Sequence, residues 1–124
     1  MGSVNFNELE WHDAVIKNII IDRSNPGYND MIEMLIIWPS GIENKLTFKD
    51  VYFANLSLNF GVVAYESIMT ASIVDSSDPD LLNVIQLWER HYGVILEMSG
   101  FEILTNSTGN IIRIFALSFE ITNS

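Results

Sequence analysis

The chain has 124 residues, with 16 Asp and Glu against 6 Lys and Arg, a formal net charge of -10 and no cysteine. The 48% apolar content excludes a disordered tail, and the lack of cysteine excludes disulfides, thiolate metal sites and a cysteine nucleophile. The length fits one domain, which we expect to cover residues 1–124.

Three predicted strands occupy the N-terminal part of the chain. An apolar, β-branched run from Ala14 to Asp22 predicts the first strand, and Asn25-Pro26-Gly27 predicts the turn after it. Similar runs predict a second strand over Met31–Trp38 and a third over Lys45–Phe53. Because turns separate these runs, we expect them to form an antiparallel meander.

The third run changes its apolar phase part-way along. Leu46 and Phe48 share one parity, whereas Val51 and Phe53 have the other. Side chains alternate along a strand, so we predict a bulge near Lys49-Asp50 that keeps one face apolar. One or both of the next two apolar runs are expected to be strands: Leu56–Tyr65, which contains Gly61, and Ile68–Val74.

The segment from Asp78 to Gly93 carries the one strong helix signal. Asp78 can accept the free amide hydrogens of the first turn, Pro79 suits the first helical position, and Gly93 can end the helix. Four apolar residues recur on one face, which we expect to pack on the sheet: Leu81, Ile85, Trp88 and Tyr92.

A hairpin is predicted at the C-terminal end, with Val94–Thr105 and Ile111–Ile121 on either side of a loop over residues 106–110. In its last strand, four residues of one parity predict the inward face: Phe115, Leu117, Phe119 and Ile121. The expected fold class is α+β, a mainly antiparallel, curled sheet of five to seven strands with one helix packed against it.

The curvature is expected because the first two runs are apolar on both parities. A helix of about 14 residues covers only roughly 20 Å by 10 Å, less than both faces of such a sheet. Either the sheet folds over on itself or another subunit covers its second face. We favour the curled sheet, since the predicted bulge and Gly61 offer points where it can bend.

Charge and motifs narrow the function. An excess of negative charge repels phosphate backbones, so nucleic acid is not an expected partner. The longest uncharged stretch, Val51–Tyr65, falls short of the about 20 residues that span a bilayer, so no membrane contact is expected. Met1–Glu10 has no secretory signature, which favours a cytoplasmic location. The usual nucleotide-binding and hydrolase motifs are missing, and we expect no cofactor.

Trp11-His12-Asp13 is the most distinctive local cluster. Histidine is a common general acid or base, and a carboxylate that oriented the His12 ring would begin acid–base chemistry. Neighbouring residues of a strand point to opposite faces, however, so we expect Trp11 to plug the core while His12 and Asp13 bond nearby backbone. With two histidines and no cysteine, we expect no metal site.

Several acidic residues lie in or near predicted loops, where they can form the rim of a protein-binding surface. Asp78 and Asp80 are explained by helix capping and by the helix dipole rather than by calcium. The candidates for the acidic rim are Glu43, Asp50, Glu66, Asp75 and Asp80.

Three short segments carry a resemblance: Trp11-His12-Asp13, Asn59-Phe60-Gly61-Val62 and Asn106-Ser107-Thr108-Gly109. With them the chain resembles small uncharacterised bacterial single-domain proteins that have a Trp-His-Asp start. Some of those proteins sit among the proposed immunity proteins of toxin systems. The resemblance implies a bacterial interaction protein and brings no site residues with it.

The sequence therefore favours a non-enzymatic, acidic protein-binding module of the bacterial cytoplasm, with a basic protein as its partner and an immunity protein as its specific form. Two alternatives stay open. One is a small enzyme that uses His12 with a distant carboxylate, and the other is a homo-oligomer, such as a homodimer, whose second sheet face is a subunit interface.

Overall fold

The computed structural model describes residues 4–124, so the first three residues of the expected domain lie outside the described part. The elements follow in chain order: a short 3-10 helix Phe6–Glu8, β1 (Val15–Ile21), β2 (Met31–Ile37), β3 (Glu43–Ser57), β4 (Ile68–Ile73), α1 (Pro79–Tyr92), β5 (Ser99–Thr105) and β6 (Ile111–Asn123).

All six strands form one antiparallel sheet in the order β1-β2-β3-β6-β5-β4. The long strands β3 and β6 lie at its centre and pair over almost their whole length. The predicted class is confirmed at this level: the fold is α+β, the sheet is antiparallel, and six strands fall within the expected five to seven.

The sheet curls until its two edge strands meet at one end. Ile68 accepts a backbone hydrogen bond from Asp13 at 2.9 Å and donates one to Ala14 at 2.7 Å. The amide of Ile16 donates to the carbonyl oxygen of Glu66 at 2.9 Å. Beyond Ile16 the edges separate, so the sheet is closed at one end and open at the other.

Curvature places the main core on the inner face, where a fifteen-residue buried cluster is centred on aromatic rings. Phe6 packs within 4.7 Å of the Trp11 ring and 4.9 Å of the Phe101 ring, measured between centroids. Aliphatic side chains from every strand fill the remaining space, among them Ile16, Met34, Leu46, Ile68, Ile103 and Ile114. Burial of apolar surface inside the curl is the main stabilising contribution.

The strand β3 bends over Lys49–Phe53, a segment that we call the bend. Asp50 has a positive φ of 53°, and the pairing register with β6 shifts between Val51 and Phe53. Val51 packs against the same core cluster as Leu46 and Phe48, so the predicted change of phase occurs there. Phe53 does not join that cluster, contrary to the prediction, because the register shifts before it; it is 39% exposed and its ring lies 5.2 Å from that of Phe115. The register shift lies just past the expected Lys49-Asp50 position.

The last strand differs from its predicted pattern. Phe119 and Ile121 pack on the inner core, but so do Ile112, Ile114 and Ala116, whose parity is the opposite one. The change of phase in β6 therefore lies across from the bend in β3. Phe115 and Leu117 consequently miss the inner face that the single-parity pattern gave them.

Helix α1 covers part of the outer face. Asp78 caps its start by accepting from the amides of Asp80 and Leu81, and Gly93 ends it in the left-handed conformation. Phe115 lies in the cluster beneath the helix, which fits its alternation with the inward Ile114. The other buried members of this cluster are Leu81, Leu96 and Met98. The predicted helix and both of its ends are confirmed.

Of the two runs of which one or both were expected to be strands, Ile68–Val74 contains β4, whereas the other is largely irregular, as is the start of the predicted C-terminal hairpin. Only Leu56 and Ser57 of the Leu56–Tyr65 run belong to a strand, namely the end of β3, and residues 94–98 precede β5 without regular pairing. Gly61, which we expected to bend the sheet, lies in the loop after β3 with a φ of 89°. The curl thus depends on the bend in β3 and not on Gly61.

Candidate binding surface

The loop Leu58–Tyr65, here called the apolar loop, presents large apolar side chains to solvent. Phe60 is 87% exposed, Tyr65 is 82% exposed and Val63 is fully exposed. Val62, between them, is about half exposed. Single exposed apolar residues are ordinary, but four within six consecutive positions form a patch of the kind that marks a contact surface.

The start of the apolar loop is fixed by Asn59. Its backbone amide donates to Oδ1 of Asn110 at 2.6 Å, and its side-chain Nδ2 donates to the carbonyl oxygen of Thr108 at 2.8 Å. These bonds attach the loop to the turn between β5 and β6, which sequence analysis expected as a five-residue loop. The peptide following Leu58 is therefore held by two contacts from another part of the chain.

The end of the apolar loop is fixed by Glu66. Its Oε2 accepts from Nδ2 of Asn110 at 2.8 Å, and its Oε1 accepts from the Thr108 hydroxyl. Thr105 joins the group, since its Oγ1 lies 2.7 Å from Oγ1 of Thr108 and accepts from the Asn110 amide.

We call this set of side chains the clamp: Asn59, Glu66, Thr105, Thr108 and Asn110. Asn110 is at its centre and is only 2% exposed. The buried Asn110 side chain forms hydrogen bonds to both ends of the loop. These bonds hold the loop in a defined position.

The Trp11-His12-Asp13 segment serves the closure of the sheet. Trp11 is buried, and its Nε1 donates to the carbonyl oxygen of Phe6 at 2.6 Å. His12 is exposed, with Nδ1 3.2 Å from the carbonyl oxygen of Met69 and Nε2 3.6 Å from Asp13 Oδ2. Asp13 takes a positive φ of 67° and turns the chain into β1.

Trp11, His12 and Asp13 do not line the cavity beside them. That cavity has a volume of about 410 Å³, and its walls are Glu8–Glu10 and Trp38–Ser40. Among residues 4–124, the exposed carboxylate of Asp13 is the one acid within ion-pair distance of His12. The distant carboxylate that the enzyme alternative requires is thus not within 4 Å of His12 in residues 4–124.

The three segments that carry the sequence resemblance converge in space on Glu66–Ile68. The first reaches it through the Asp13–Ile68 backbone bond. The third reaches it where the amide of Asn106 donates to the carbonyl oxygen of Ser67 at 2.9 Å. The second joins through the clamp. These far-separated motifs thus build one structural unit, the closed end of the sheet together with the base of the apolar loop.

The five candidates for the acidic rim are spread over the fold, from the start of β3 to the start of α1. Glu43 begins β3 and pairs with Lys17 at 3.1 Å, which lowers the pKa of that carboxyl below its ordinary value. Asp75 accepts from Ser77, a hydrogen bond that lowers its pKa. Asp80 pairs with Arg113 at 2.8 Å beside the start of α1. Glu66 belongs to the clamp and Asp50 to the bend.

A second cavity, here called the bend cleft, has a volume of about 600 Å³ and lies beside the bend. Residues from the β1–β2 turn, the bend and α1 form its walls. The bend cleft could not be predicted from the sequence, because its walls come from parts of the chain that are far apart. Sequence analysis missed the apolar loop for another reason, since an apolar run with a central glycine resembles a strand.

Other kinds of site find no support within residues 4–124. No group of three or more His, Asp or Glu side chains there is placed to hold a metal ion. No helix in the same part of the chain is long and apolar enough to cross a membrane.

Comparison with protein-family models gives no match to the chain, and comparison with the curated proteins gives none either.

Proposed function

We propose that this protein is a non-enzymatic binding module that recognises a basic protein, with the apolar loop at the centre of the contact. The observation that carries the proposal is the pairing of exposure with restraint. Phe60, Val63 and Tyr65 face solvent, yet the clamp, which is centred on the buried Asn110, fixes both ends of the loop that bears them. Aromatic anchors held on a rigid base are typical of the energetic centre of an interface.

The charge of the chain supports the choice of a basic partner. A net charge of -10 steers a basic surface toward the protein and speeds encounter, while repelling nucleic acids and further copies of the same chain. Apolar contact at the loop would then supply the affinity. The resemblance to proposed immunity proteins gives the specific form of the proposal, an immunity protein that masks a basic toxin domain in the bacterial cytoplasm.

The test removes the apolar anchors without touching the clamp. The double variant Phe60→Ser/Tyr65→Ser and the control Tyr28→Ser are immobilised beside the wild-type chain and exposed to lysate of the native host. Tyr28 is 88% exposed in the β1–β2 turn, so it matches the anchors in exposure but lies outside the loop.

We expect a captured protein with a basic surface, bound at least tenfold more weakly by the double variant and equally well by the control. Raising the salt concentration should weaken capture by the wild-type chain. Equal capture by all three chains, or no protein retained by the wild-type chain, would contradict the proposal. If light scattering instead shows a dimer that the double variant loses, the loop is a contact between copies, which is the homo-oligomer alternative.

A further inference from the structure

The bend cleft is a separate feature from the apolar loop, and none of its lining residues belongs to that loop. Its floor includes Ile21 and Val51, which give it an apolar base beside the bend. A volume of about 600 Å³ is in the range of cavities that accept small ligands or large side chains. What distinguishes the cleft is the charge and the aromatic wall that accompany this base.

The charges in the cleft leave one carboxylate uncompensated. Arg23 and Asp30 both line the cleft, but they pair with each other at 2.8 Å, and their charges cancel. Asp50 also lines the cleft, is exposed, and has no basic side chain within 4 Å among residues 4–124. The cleft therefore has a net negative charge beside its apolar floor.

The aromatic wall consists of Tyr52 and Trp88. Both line the cleft, and their rings meet edge to face with centroids 4.8 Å apart. Tyr92 also packs against Trp88, with 4.6 Å between the ring centroids, so a second aromatic neighbour helps to fix the indole ring. Aromatic faces attract ammonium and guanidinium groups, most strongly when the ring is that of tryptophan.

The backbone at the bend adds a further indication. Asp50 adopts a left-handed conformation within a strand. This conformation is higher in free energy than the extended conformation of ordinary strand residues. Bulges and strained residues of this kind re-aim a side chain, and they are frequent at binding sites. Here the carboxylate at the bend lines the same cleft as the aromatic wall.

We propose that the bend cleft binds an alkylammonium or alkylguanidinium group. Asp50 supplies the counter-charge, Trp88 and Tyr52 face the cation, and the aliphatic stem lies on Ile21 and Val51. The group belongs either to a basic side chain of a partner protein or to a free amine, which share this chemistry.

The experiment titrates the full chain with small probes and follows backbone amides and the Trp88 indole by NMR. Nα-acetyl-lysine methylamide represents a protein side chain, cadaverine represents a free amine, and Nα-acetyl-norleucine methylamide is the uncharged control. We expect saturable shifts at residues 50–54 and at the indole with a charged probe, and at least fivefold weaker binding of the norleucine probe.

The variants are matched at the backbone. Asp50→Asn removes the charge, and asparagine tolerates a positive φ, so the bend is retained. Asp13→Asn makes the same change at the other exposed aspartate with positive φ, outside the cleft. We expect Asp50→Asn to weaken the charged probe at least fivefold and Asp13→Asn to leave its binding unchanged.

Equal binding of the charged and uncharged probes to the wild-type chain would overturn the proposal, whatever the variants do. Tighter binding of cadaverine than of the lysine probe would assign the site to free amines, and the reverse order would assign it to a partner's side chain. The Phe60→Ser/Tyr65→Ser chain should bind the probes normally, which separates this site from the proposed function.

Discussion

Asn110 illustrates how one buried polar residue can determine the shape of a whole surface. Its side chain accepts from the Asn59 amide and donates to Glu66, and its own amide donates to Thr105. Sequence analysis assigned it only to a turn, since nothing in the local pattern shows that its partners lie 44 and 51 residues away. For this reason the clamp could not be predicted from the sequence. The apolar loop could not be predicted either, because its sequence resembles a strand.

We predict that Asn110→Ala costs about 2 kcal/mol of unfolding free energy, because it leaves the part-buried Asn59 amide and Glu66 carboxylate without this partner. The apolar loop should then exchange its amide hydrogens faster, and partner capture should fall although Phe60 and Tyr65 are intact. Chemical denaturation and hydrogen exchange measure the two effects. Asn106→Ala is the control, since Asn106 is exposed and bonds only at the margin of this region.

The His12 ring offers a second test at the level of single residues. If Trp11-His12-Asp13 serves closure of the sheet, Trp11→Ala should cost about 3–5 kcal/mol by opening a cavity in the core, and His12→Ala no more than about 1 kcal/mol. Thermal or urea unfolding gives both values. If His12→Ala lowers the unfolding free energy as much as Trp11→Ala does, His12 contributes more than its one hydrogen bond to Met69, and this interpretation is wrong.

Among the elements, α1 was the most predictable because its signals are local. Asp78, Pro79 and Gly93 act within one turn of the ends that they define, and tertiary contacts were not needed to recognise them. The phase of β6 was harder to predict, since it changes in response to a bend in the neighbouring strand β3. Strand phase is a property of the pair, whereas a helix cap is a property of a short segment.

The attachment of α1 to the sheet predicts an acid-sensitive stability. The Leu81 amide and then the Arg113 guanidinium lower the pKa of Asp78 below its ordinary value of about 3.9. A carboxyl with a lowered folded-state pKa stabilises the fold fully above the unfolded-state value, and this contribution is lost as the pH falls through the folded-state value.

Asp78→Ala should therefore cost about 1–2 kcal/mol at pH 7 and make the acid limb of the stability curve shallower below pH 4. Urea unfolding at a series of pH values provides the measurement. Arg113→Gln, which removes the partner at 2.7 Å, should flatten the same limb in part. An unchanged slope in both variants would show that the ion pair does not contribute to the acid limb.

For the whole molecule, the sequence predicted that one helix leaves apolar sheet uncovered, and the curl meets most of that need. Both parities of β2 are apolar because its inner face lies in the core while its outer face remains partly covered. The two edge strands meet at residues 66–68. This position depends on contacts between distant segments and could not be predicted from local sequence patterns. The composition indicates how much apolar surface must be buried, but the path of the chain determines which residues bury it.

The two edges of the sheet differ in what they leave open. The 3-10 helix region covers β4, where Asn7 accepts from the Ile73 amide and His12 lies against the Met69 carbonyl oxygen. Within residues 4–124, the outer edge of β1 from Lys17 to Ile21 has no backbone hydrogen bond. An extended peptide that lengthened this sheet would therefore be expected to add beside the isoleucines of β1, because groups of Asn7, His12 and Asp13 already bond to the edge of β4.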